Sequence, residues 1–295
     1  MNKHVTTALG LFFFFFFGFM ALWAITENNS DQLKTLDDSI ALLSYFKPEL
    51  FALVFMPLLV ATGWRVWSGE SHWSSVWFHS GVPLGLIASS ISLIGVLQNV
   101  DNLEQVRILT GESLLAVFYG GVASLVGYLN LYTVDIQIKN KSRSNISKFL
   151  VSLLAALPIA VGMDYYSGLG AFVDVSTLFI FAAIASAFLL VNRDESKSIC
   201  HLVCEAMIVV SLVSVIVALI SYNTYQGYPR LIGPSIAIGM LGPLYGSFVI
   251  LQCAIFLPER DLRATNFGRI NWHLLEICGF WILMCFAPKS LLEMF

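Results

Sequence analysis

Charge is what this sequence has least of. Only 12% of its 295 residues are charged and 57% are hydrophobic, with a mean hydropathy of +0.78. A soluble domain carries about 25% charged residues, so this chain cannot cover a globular surface in water. The net charge is −3 and no basic tract is long enough to suggest a nucleic-acid partner. The five cysteines, Cys200, Cys204, Cys253, Cys278 and Cys285, lie in or beside apolar segments without the paired loop spacing of a disulfide framework. They read as small hydrophobes. Cys200, His201 and Cys204 share a helical spacing, but a fourth metal ligand is missing. No Walker A loop, Gly-x-Ser-x-Gly elbow or His-Glu-x-x-His occurs, so neither an enzyme nor a cofactor site is expected.

What is present is a succession of apolar runs of membrane-spanning length, about 20 residues each. The first is Ala8 to Ile25, with six phenylalanines from Phe12 to Phe17. It is long for a signal peptide, and Ala21-Leu22-Trp23-Ala24 is a bulky cleavage site, so an uncleaved helix is expected. The next runs are Pro48–Trp67, Gly81–Leu97, Ser113–Val134, Phe149–Met163, Ala171–Val191, Ile199–Tyr222 and Pro229–Pro258. Trp64 and Trp67 at the far end of the second run, followed by Trp73 and Trp77, read as interfacial anchors. Pro83 and Pro258 are expected to kink or end helices. The apolar stretch Ile277–Ala287 is short for a span. It is expected to be interfacial or half-inserted, or else a ninth helix.

Eight alternating spans with a cytoplasmic N-terminus put eleven of the sixteen lysines and arginines inside and four outside, with Lys289 in the tail. This agrees with the positive-inside rule, and in the bacterial inner membrane, where the chain is expected, the outside would be the periplasm. The fold expected is an all-α polytopic membrane protein of two parallel four-helix repeats plus the tail helix. The units are 1–135, a basic cytoplasmic linker 136–148, a second repeat 149–258, and the tail 259–295. The repeat rests on two Tyr-Gly pairs, Tyr119-Gly120 and Tyr245-Gly246, which stand 126 residues apart. Four helices per copy keep both copies in the same orientation.

The residues around these pairs carry a resemblance. The second copy has Gly233-Pro234-Ser235-Ile236-Ala237, then Leu244-Tyr245-Gly246, then Pro258. The first has Asn99-Val100-Asp101-Asn102 before Phe118-Tyr119-Gly120, and Gly170-Ala171-Phe172-Val173-Asp174 opens the sixth run. In this order the chain resembles the flagellar stator A-subunit family (MotA and PomA), within the wider MotA/TolQ/ExbB proton-channel superfamily. The resemblance implies a wall of helices around the transmembrane helix of a single-span B-type subunit, which carries the titrating carboxylate, and a homo-oligomer in the lipid bilayer. It also implies an ion path for protons or sodium, with Asp174 and Glu49 at its mouth and Ser89 along it. The loops 68–80 and 192–198 are too short for the family's rotor-binding cytoplasmic domain.

Each of these residues has a plainer reading. Asp174 and Glu49 sit where a helix dipole favours carboxylates. Ser89, Gly120 and Gly246 are small residues of the kind that pack helices closely. A self-contained small-solute transporter and a scaffold without transport are the other functions the sequence admits.

Overall fold

The computed structural model describes residues 47–68, 73–99, 102–131, 145–191, 199–224, 229–256, 269–271 and 273–277. The first apolar run, Pro258 and the apolar stretch after Ile277 lie outside the described residues. The helices are α1 (Pro48–Ser68), α2 (Trp73–Gln98), α3 (Leu103–Leu131), α4 (Asn145–Ser167), α5 (Val175–Val191), α6 (Ile199–Thr224) and α7 (Pro229–Phe256), with a 3-10 turn at Leu169–Phe172 before α5. All seven are long and apolar enough to cross a membrane. The described residues are therefore all-helical, and the chain is a multi-pass membrane protein.

Several helices are longer than the apolar runs suggest. α2 begins at Trp73, so Trp73 and Trp77 belong to its first two turns. Trp77 turns inward, donating from Nε1 to Thr62 Oγ1 at 3.1 Å. Pro83 lies within α2 and does not end it. The missing N–H is tolerated because packed neighbours can re-satisfy the freed backbone. α3 begins at Leu103, ten residues before the apolar run, where Asn102 Oδ1 accepts from Gln105 N at 3.2 Å. α4 ends at Ser167, and Gly168 takes a φ of +75° with a ψ of 140°, a positive-φ backbone that glycine adopts without steric cost. α7 starts at Pro229, where the absent N–H is one of the helix's unpaired donors in any case. The Gly233-Pro234 entrance is therefore helical.

The bundle is organised around α2. Every residue from His79 to Gly95 is buried, and α1, α3, α4 and α7 pack around the helix. α5 sits at the edge, with only Thr177 and Ala185 buried. α4 shows the complementary surface: Leu150, Leu153, Leu154, Leu157 and Val161 are exposed along one side, as a lipid-facing stripe should be.

At one face, α7 ends among basic residues. Arg65 Nη1 donates to Ala254 O, and Lys148 Nζ donates to Phe256 O at 3.2 Å. Cations at a helix C-terminus satisfy orphan carbonyls and complement the dipole, each contributing about 0.3–1 kcal/mol. Arg65 is fully buried there. We call this end of the bundle the basic face.

Of the tail, helical residues 269–271 and 273–277 are described, and they pack on the bundle. Ile270 and Leu274 pack in a core with Cys204, Met207 and Val210 of α6 and Val82 and Leu86 of α2. Ile277 reaches the core that holds Val215. The segment thus climbs beside α6 from the basic face.

Candidate functional site

The Tyr-Gly pairs sit at close helix junctions. In the hairpin α2–α3, a Cβ added at Gly120 would lie 2.5 Å from Gly81 O and 2.6 Å from Gly85 Cα. Only glycine permits that approach. In the hairpin α6–α7, a Cβ at Gly246 would lie 2.4 Å from Ser211 Oγ and 3.0 Å from Met207 O. Backbones that come this close in lipid gain packing that larger residues would prevent.

Each tyrosine beside these glycines reaches the start of another helix. Tyr119 OH accepts from Lys47 N at 3.4 Å, just before α1. Tyr245 OH donates to Phe172 O at 2.7 Å and accepts from Asp174 N at 3.4 Å, just before α5. Phe55 of α1 packs on Tyr119 with ring centroids 6.4 Å apart, and Phe181 of α5 on Tyr245 at 5.8 Å.

Asp174 serves the start of α5. Its Oδ2 accepts from Thr177 N at 2.9 Å and from Thr177 Oγ1, an N-cap arrangement. Glu49 is exposed in the first turn of α1. Ser89 is buried midway along α2. No hydrogen bond or ion pair joins these three among the described residues. Gly233 and Pro234 fall in the first two turns of α7, and Pro258 lies outside the described residues.

A cluster that sequence reasoning missed lies at the opposite face. Lys47 Nζ is 3.4 Å from Glu112 Oε1, and Tyr166 OH donates to Glu112 Oε2 at 3.0 Å. The Glu112 side chain is 12% exposed and ties α3 to α4 and to the start of α1. The signal was obscured because Glu112 precedes the apolar run of α3, although the helix begins nine residues earlier.

Two further polar groups lie toward the basic face. Asn271 Nδ2 donates to Phe78 O at 2.9 Å, the same carbonyl that accepts from Ser124 Oγ at 2.8 Å, and so fixes the tail to the α2–α3 hairpin. His201 and Glu205 pair at 3.1 Å on the first turns of α6. Among the described residues, no group of three or more His, Cys, Asp or Glu side chains is placed to hold a metal ion.

No family model, curated protein or solved structure matches the chain. Composition and fold together define its class, a multi-pass all-α membrane protein whose helices are joined at glycine-lined seams.

Proposed function

We propose that the chain is an inner-membrane subunit of an ion-motive-force complex. In this reading, two related helical units in tandem form part of a wall around a further transmembrane helix. The observation that carries it is the match between the two hairpin junctions. Gly81, Gly85 and Gly120 meet in one, and Met207, Ser211 and Gly246 meet in the other, each residue 126 positions further on. Phe55 on Tyr119 and Phe181 on Tyr245 keep the same spacing. Apolar residues coincide cheaply, whereas close backbone approaches and tyrosine hydroxyl contacts do not. Their agreement supports a tandem duplication of α1–α3 as α5–α7.

The way these units meet supports assembly. α2 packs extensively on α7, but the reciprocal pair, α6 with α3, has no comparable contact. The units are therefore joined head to tail, and a head-to-tail interface leaves one complementary surface open at each end. On α6, Leu212, Val217 and Ile220 are exposed, while Leu86, Ile91 and Ile94, 126 residues earlier on α2, are buried. On α3, Leu114 and Phe118 are exposed, while Met240 and Leu244 on α7 are buried. Further copies, or a partner's single helix, fit such open ends.

Native membranes extracted in mild detergent test the proposal. The expected result is an assembly with more than one copy of the chain and a copurifying single-span protein, which conducts protons or sodium when reconstituted. A solitary chain that conducts neither would overturn it.

A further inference from the structure

The two helical units are built alike but are not covered alike. Glu205, Leu212, Ile216 and Ile220 stand seven and four residues apart on α6, which sets them along one side of the helix. Leu212, Ile216 and Ile220 are exposed there. Their counterparts 126 residues earlier on α2, Leu86, Ser90 and Ile94, are buried, and so is His79, the counterpart of Glu205. α3 repeats the pattern. Leu114, Phe118 and Tyr128 are exposed along one side of it, whereas Met240, Leu244 and Ala254 at the matching places of α7 are buried. One interface accounts for both differences. α2 packs on α7 within the chain, and the open sides of α6 and α3 are the two halves of the same seam.

The polar end of the stripe separates protein from lipid as its cover. Ser75 Oγ and His79 Nδ1 lie 3.2 Å apart on α2, both buried. At the same two places of α6, His201 and Glu205 lie 3.1 Å apart, and the Glu205 side chain is 32% exposed. Glu205 falls within the apolar span His201–Ser221. Ionisable side chains inside a span almost always turn toward the protein interior or a water-filled cavity, so Glu205 marks this side of α6 as one that protein covers. The described part of the tail occupies the adjoining side, where Ile277 joins the core that holds Val215, and leaves the stripe open.

We propose that α6 of one copy is the docking site for α3 of a second copy, repeating between chains the seam that α2 and α7 make within one. The proposal rests on the tandem-duplication part of the reading above and is independent of ion movement. A partner's lone helix would cover α6 and leave α3 unmatched, whereas a second copy matches both. Depth sets the register. Gly120 meets Gly81 and Gly85, and Gly246 meets Met207 and Ser211, at equivalent places in the two hairpins. Val82 and Leu86 share a core with Met207 and Val210, which puts the two units at one depth. α3 of one copy therefore meets α6 of the other with Phe118 level with Leu212, Leu114 level with Ile216, and Tyr128 level with His201.

The test places a photoreactive benzoylphenylalanine in the full-length chain in native membranes, at Leu212, at Phe118, or at Leu157 on the lipid-facing side of α4. Illumination of the Leu212 and Phe118 variants is expected to give a species of twice the chain's mass. Peptide mass spectrometry should place the Leu212 adduct on α3 near Phe118 and the Phe118 adduct on α6 near Leu212, and Leu157 should give no such species. Replacement at Phe118 adds only a benzoyl group to the native ring, so that variant decides the matter if the one at Leu212 does not fold. Yields at Leu212 and Phe118 no higher than at Leu157 overturn the docking site, because both sides then face lipid. Adducts with a single-span protein overturn the second copy in favour of that partner. Adducts from Leu212 to residues 1–46 or 278–295 of the same chain overturn it in favour of self-capping. A linked assembly that conducts neither protons nor sodium on reconstitution overturns the ion-motive reading and leaves the seam standing.

Discussion

The hairpins α2–α3 and α6–α7 solve the same packing problem with different residues. In the first, glycine meets glycine, and the contact at Gly120 is backbone against backbone. In the second, Gly246 meets the Ser211 hydroxyl, which itself donates to Met207 O at 2.7 Å. A side chain can rotate away from an intruding methyl, but a helix backbone cannot. The first seam is therefore the less forgiving, and it belongs to the helix that the rest of the bundle surrounds.

Substitution at the two seams should separate them. Gly120→Ala drives a Cβ into the Gly81 carbonyl, and such overpacking typically costs about 1–3 kcal/mol. The thermal midpoint in detergent should fall further than for Gly246→Ala, and Ser211→Ala should recover part of the Gly246→Ala loss. Equal losses at both sites, with no recovery, would erase the distinction. The tyrosines come next. Tyr245→Phe removes the 2.7 Å bond to Phe172 O, whereas the described bond of Tyr119 is the longer 3.4 Å contact with Lys47 N, so Tyr245→Phe should cost about 1 kcal/mol more.

The helix starts should differ as well. Asp174→Ala removes an N-cap and should cost about 1 kcal/mol, whereas the exposed Glu49→Ala should stay within about 0.5 kcal/mol. A loss at Glu49 as large as that at Asp174 would mean that Glu49 holds a contact in the membrane. The smallest effect is of opposite sign. A Cβ at Gly121 would meet nothing within 4 Å, so Gly121→Ala should raise stability by about 0.5 kcal/mol through helix propensity. A marked loss there would show that the open side of α3 is covered in the native assembly.

The sequence made the spans legible and hid their arrangement. Apolar length alone marks α1 and α4 to α7, because lipid demands it. The beginnings of α2 and α3 were obscured because Trp73–Ser80 and Leu103–Glu112 are polar enough to read as loops. Trp73–Ser80 is helical where neighbouring helices cover it, whereas Leu103–Glu112 is largely exposed and is held at its start by the Asn102 cap. The central position of α2 left no amphipathic trace, since a helix enclosed on all sides has no polar face to contrast with an apolar one. Its serines and glycines were visible, and Ser89 was singled out among them. What those residues face depends on α3, α4 and α7, which no local pattern specifies.

The enclosure of α2 also sets the order in which the protein can be made. Its last covering helix, α7, ends at Phe256, more than 150 residues after α2 ends at Gln98. At a synthesis rate of about 5–20 residues per second, α2 waits roughly 10–30 seconds in the bilayer with the flank that packs on α7 uncovered. During that interval the nascent chain is a half-built bundle seeking an α7. A truncated protein ending before Pro229 should therefore be captured by insertion chaperones or degraded, and should not persist as a stable half.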